Sequence, residues 1–103
     1  MLTRFLLAAA LASAPLATPA QTPEALYVRG LAASCANCHG TDGHTVQGSA
    51  VPGLAGMPRD YMVQQLRAFR DGSRPATVMH QIAKGFSEPQ VQALAGYFAA
   101  QPK

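Results

Sequence analysis

Downstream of residue 21, apolar positions recur at helical spacing in four stretches, and no stretch alternates with the period of two that marks a strand. Thr22-Pro23-Glu24 reads as a helix start, with Thr as N-cap, Pro at the first helical position and an acid in the first turn. The helix continues through Leu26, Tyr27 and Leu31 to Ala33 and on into a pair of cysteines. In Pro58–Asp71, Met62, Leu66 and Phe69 fall at i, i+4 and i+7 as a buried stripe, and Gly72 is placed to stop the helix. Ala76–Lys84 predicts a short helix ending at Gly85. Ser87-Glu-Pro-Gln90 matches a capping box that opens a last helix with Val91, Leu94, Ala95 and Phe98 on its apolar face. Gly30 and Gly96 sit mid-helix, where each costs about 1 kcal/mol relative to Ala. That cost is either simply tolerated or it permits a close crossing, and we expect the first and last helices to cross there. The pattern is all-α.

Between Gly40 and Gly56 the periodicity disappears, and five glycines with Pro52 describe a loop wrapped around something. Just before it stands Cys35-Ala36-Asn37-Cys38-His39, the C-x-x-C-H pattern of covalent c-type haem attachment. Two thiols three positions apart lie on one face of a helical turn and can each form a thioether to one porphyrin. The adjacent imidazole can then bind iron. The expected architecture is three to four helices around one covalent haem c. Pro52-Gly-Leu-Ala-Gly56 is either an ordinary turn or the source of a carbonyl that orients the His39 ring through Nδ1.

The chain has 103 residues, 49% apolar and 13% charged, which bounds it to one small globular domain. Nine glycines and eight prolines agree with long irregular loops. A formal charge of +3, to which the N-terminal Arg4 contributes, is too small to indicate a nucleic-acid partner. Residues 1–20 have the form of a cleaved export signal: a basic start, an apolar run from Phe5 to about Leu16, and small residues ending at Ala20. That run is shorter than the roughly 20 residues needed to span a bilayer. Residues 21–103 then form the domain, and a periplasmic location is expected, with no stable membrane span.

A haem iron held by one His takes a sixth ligand or stays open to small molecules. Met57, Met62, Met79, His44 and His80 are the candidates. Met57, Met62 and His44 follow His39 closely, and Met62 belongs to an apolar stripe. Met79 comes after a loop and a helix, with His80 beside it as a competitor. Arg59, Arg67, Arg70 and Arg74 read as a solvated face from which one could pair with a propionate or an acidic partner. Other uses of C-x-x-C fit poorly. A thioredoxin-like pair belongs to a βαβ chain, and structural zinc requires four ligands where this chain has two cysteines and no paired His. A plain disulfide gives no reason for the His that follows.

Several stretches together resemble the class I cytochromes c: Cys35-Ala-Asn-Cys38-His39-Gly40-Thr-Asp42-Gly43, Pro52-Gly-Leu54-Ala-Gly56, Tyr61 through Arg74, Thr77-Val-Met79, Ile82-Ala-Lys84-Gly85-Phe-Ser87 and Leu94-Ala-Gly-Tyr97-Phe98. The pattern is similar in particular to the haem subunit of flavocytochrome c sulfide dehydrogenases and to single domains of tandem dihaem cytochromes c. The resemblance implies thioethers at Cys35 and Cys38, axial ligation by His39 and Met79, and a bond from His39 to the Pro52 carbonyl. It also implies Tyr61 and Arg70 near the haem, and Gly30 at the helix crossing. The function it implies is single-electron transfer with redox partner proteins, including a flavoprotein that oxidises sulfide. The alternatives are a free carrier serving a terminal oxidase or other periplasmic enzyme, and a haem sensor or peroxidase with an open distal site.

Overall fold

The computed structural model describes residues 16–103, so the export leader expected over 1–20 lies mostly outside the described residues. Among those residues every regular element is helical: α1 (Pro23–Ala33), α2 (Ala36–His39), a 3-10 turn (Thr41–Gly43), α3 (Arg59–Asp71), α4 (Met79–Lys84) and α5 (Glu88–Ala99). The all-α expectation holds.

The two ends read as caps are caps. Thr22 accepts the Ala25 N–H at 3.1 Å, and Pro23 opens α1 where no N–H is needed. Ser87 closes both halves of its box with Gln90, at 2.9 and 3.4 Å. Gly72 ends α3 in the left-handed region at φ +83°.

Two boundaries differ from the pattern. The first helix does not run into the cysteines. The Ser34 hydroxyl donates to the Leu31 carbonyl at 2.7 Å, the chain bends, and Ala36–His39 forms a separate single turn. A serine that bonds back to a carbonyl three residues earlier offers the backbone an alternative to helix, and apolar spacing carries no trace of it. The fourth helix begins at Met79 rather than Ala76. Val78 is the N-cap at φ −139°, and its carbonyl starts the helix by accepting from Gln81 and Ile82.

The core centres on α5. Val91 and Ala95 are fully buried and Phe98 is 1% exposed, packed with Ala32 of α1 and Met62 and Val63 of α3. Each large apolar side chain so buried contributes on the order of 2 kcal/mol. The first and last helices pack together as expected, and Gln90 also donates to the Tyr27 hydroxyl at 2.8 Å. Their glycines are not the reason. A Cβ on Gly30 would meet nothing within 4 Å among the described residues, and one on Gly96 would meet only Arg59 Nε at 3.8 Å. Ala32 and Ala95 are the small residues buried in the shared cluster.

The arginine face is also not simply solvated. Arg67 and Arg70 both reach Glu88 at the start of α5, and Arg59 donates to Gln92 at 2.6 Å. These links fix α3 against α5, the pair that supplies one wall of the site.

Candidate haem site

The C-x-x-C-H turn is anchored by its own backbone, with His39 N–H donating to the Cys35 carbonyl at 2.9 Å and Gly40 N–H to Ala36 at 3.0 Å. Cys35 and Cys38 are not joined to each other, and both line the same cavity as His39. Before haem attachment, burial pushes the Cys35 thiol up from its ordinary pKa.

His39 is the one buried polar residue among those described, at 8% exposure. Its Nδ1 lies 2.7 Å from the Pro52 carbonyl oxygen. A carbonyl only accepts, so Nδ1 carries the proton and Nε2 keeps the lone pair with which imidazole binds a metal.

The loop is built to deliver that carbonyl. The Gly43 carbonyl accepts from Leu54 at 2.9 Å and from Ala55 at 3.2 Å, closing residues 44–53 into a loop that returns Pro52 to His39. Gly56 N–H then donates to the Phe98 carbonyl at 2.8 Å, tying the loop to α5. Gly43 itself has φ +82°, and a Cβ there would lie 2.7 Å from Ala55 N and 2.9 Å from both Leu54 Cβ and Phe98 Cδ1. Only glycine fits. On its other side, the Tyr97 hydroxyl donates to the Asp42 carboxylate, which pushes the Tyr97 pKa up.

The cavity has a volume of about 420 Å³ and an overwhelmingly apolar wall. Cofactor pockets commonly occupy roughly 300–1,000 Å³. Met62, Leu66 and Phe69 of α3 line it, so the stripe read as core faces the cavity, and Met62 belongs to both. Met79, Ile82 and Phe86 contribute from α4 and beyond, and Leu94 and Phe98 from α5. Two thiols at motif spacing, an imidazole with Nε2 free and a greasy enclosure fit a covalently attached haem.

The histidine candidates for the iron's other side separate from the methionines here. Met79 lines the cavity and His80 does not; His80 Nδ1 is buried with no partner among the described residues. His44 lies outside, its Nε2 2.7 Å from the Pro102 carbonyl. Met57 and Met62 also line the cavity, from the wrapping loop and from α3. Tyr61 is in the wall and 48% exposed, which places it at the mouth.

Arg70 is not in the wall. One of its terminal nitrogens pairs with Glu88 at 3.5 Å and the other donates to the Phe86 carbonyl at 2.9 Å, while its Nε is buried without a partner among the described residues. Its position on α3 turns it toward the start of α5 instead. Arg74, which the sequence did not distinguish from its three neighbours, does line the cavity.

The cytochrome c family model matches residues 28–100. The chain is 42% identical over 87 residues to the thiosulfate dehydrogenase electron acceptor of Thiomonas intermedia, covering 84% of this chain and 37% of that protein. It is 41% identical over 86 residues to the cytochrome subunit of sulfide dehydrogenase of Chlorobaculum tepidum, covering 82% and 76%. Among solved structures, cytochrome c4 of Acidithiobacillus ferrooxidans superposes with a TM-score of 0.63 at 34% identity, over 75% of this chain and 46% of that one. The chain thus spans about a third of the first of these relatives and most of the second. The family match over residues 28–100 and the C-x-x-C-H motif within them show that the chain belongs to the cytochrome c family, with covalently attached haem c as its cofactor.

Proposed function

We propose that His39 and Met79 are the two axial ligands of a closed, six-coordinate haem, joined to the chain through Cys35 and Cys38. The observation that carries this reading is that His39, oriented by Pro52, and Met79 line one cavity while His80 and His44 do not. Bound between these two side chains, the haem would supply single-electron exchange, and Met/His ligation would favour Fe(II), raise the potential and leave no position for substrate. The chain's own residues then do three things. They exclude water, hold the imidazole in one tautomer, and set the charge around the ring.

The electrons come from oxidation of a reduced sulfur compound by a dehydrogenase. Two relatives named for such enzymes, one as electron acceptor and one as cytochrome subunit, support this assignment. In this reading the domain is the electron-accepting subunit or partner of a flavoprotein sulfide dehydrogenase. It works in the periplasm after cleavage of the leader near Ala20. No helix among the described residues is long and apolar enough to cross a membrane. The test is anaerobic mixing of ferric protein with sulfide and the flavoprotein purified from the same cells. Haem reduction that depends on the flavoprotein is expected. Equal reduction without it would contradict the partnership.

A further inference from the structure

A haem brings two propionate carboxylates into an otherwise apolar site. A carboxylate in such surroundings needs a charged or hydrogen-bonding partner unless it reaches water. The wall contains one permanently charged side chain, Arg74. The other three arginines of this segment are engaged on α5, Arg67 and Arg70 with Glu88 and Arg59 with Gln92.

Arg74 is also held in readiness. Its guanidinium carbon lies 4.5 Å from the centroid of the Phe69 ring, and Nη1 donates to the Gln65 side-chain carbonyl. Phe69 and Gln65 line the same cavity. Its backbone N–H donates to the Ala68 carbonyl at 3.1 Å, which fixes where the side chain begins. Nε and Nη2 make no hydrogen bond to protein among the described residues, and Arg74 has no acidic partner there. Stacking on an aromatic face leaves the edge of the guanidinium open, and that edge is the fork that matches a carboxylate.

We propose that Arg74, positioned by Phe69 and Gln65, binds a haem propionate and holds it ionised. The assignment shares with the proposed function the premise that this cavity encloses the haem, but it is independent of which residue is the distal ligand. A guanidinium on the propionate lowers that carboxyl's pKa. The potential of the iron is then insulated from pH over the range where a free propionate would titrate.

The test is the reduction potential of the holoprotein from pH 5 to 9, for wild type, Arg74→Gln and Arg74→Lys. In Arg74→Gln the released propionate titrates within this range, so the potential falls with rising pH through a step absent from wild type. At pH 7 and a fixed ambient potential, the ferric-to-ferrous ratio rises about three- to tenfold, as expected for deleting one positive charge near the iron. Arg74→Lys keeps the charge and recovers most of both effects. A wild-type profile in Arg74→Gln, or an Arg74→Lys profile as altered as that of Arg74→Gln, would overturn the assignment. Should Arg74→Gln fail to assemble, Gln65→Leu is expected to introduce the same step at smaller size, and an unchanged profile there would be equally contrary. The far-red ligand-to-metal band of the ferric protein is recorded alongside. Its absence from wild type would refute Met79 ligation and leave the Arg74 comparison readable.

Discussion

The Pro52 carbonyl oxygen lies 2.7 Å from His39 Nδ1, across thirteen residues of chain. Proline supplies an acceptor and no competing N–H, so the contact fixes the tautomer as well as the ring plane. What keeps Pro52 there is the Gly43 carbonyl, which holds Leu54 and Ala55 on the far side of the loop.

Gly43→Ala is therefore expected to be among the most damaging single substitutions outside the haem ligands. It forces a left-handed conformation on a residue with a Cβ and drives that Cβ into Ala55, Leu54 and Phe98. Strain and overpacking together cost about 3 kcal/mol or more. Guanidinium unfolding of the holoprotein measures the loss, and the far-red band should weaken as His39 loses its orientation. A variant as stable as wild type would show that the loop closes in some other way.

Tyr97→Phe removes the bond to Asp42 and leaves the edge-to-face contact of ring 97 on Phe98, at 5.2 Å and 89°, largely intact. Asp42 sits at φ +53° beside the haem motif, so its release loosens the turn that follows Gly40. A loss of about 1 kcal/mol in chemical denaturation is expected, with the haem spectrum unchanged. The same contact predicts that Tyr97 ionises above the ordinary tyrosine range in a spectroscopic alkaline titration.

Three capped helix ends and the cofactor were legible in the sequence, and two other boundaries and the way the walls meet were not. Thr22, Ser87 with Gln90, and Gly72 each act within four residues, so local chemistry decides them. The haem motif likewise carries its own spacing. Pro52 was legible as one of two readings, and only the closed loop makes it an acceptor. Arg70 and Arg74 are four positions apart with similar neighbours, yet one pairs with α5 and the other faces the cavity. That difference depends on where Gly72 ends α3, which periodicity does not encode. Gly30 and Gly96 misled for a related reason: a small residue permits close approach without requiring it.

Glu88 links α5 to α3 through Arg67 and Arg70, and its carboxyl is lowered to about 2, chiefly by the Arg67 hydrogen bond and then by Gln92. A carboxyl lowered on folding stabilises the folded state fully above its unfolded pKa of roughly 4.3. The contribution fades as pH falls through that value toward about 2. The stability difference between wild type and Glu88→Gln should therefore be constant from neutral pH to about pH 5 and shrink below it. The pair is exposed, with side chains 53% and 43% accessible, so the difference should also diminish in high salt. Unfolding curves of both proteins at several pH values, with and without salt, check both statements. A difference that grew on acidification would mean that Glu88 is not the lowered carboxyl.

The central claim is that His39 and Met79 close the iron between them. Optical and paramagnetic-resonance spectra of the ferric holoprotein, compared for wild type, Met79→Leu and His80→Ala, test it most directly. Loss of the far-red band in Met79→Leu, with the band and low-spin state retained in His80→Ala, is the predicted result. A band that survives in Met79→Leu, or a low-spin state that disappears in His80→Ala, would contradict it.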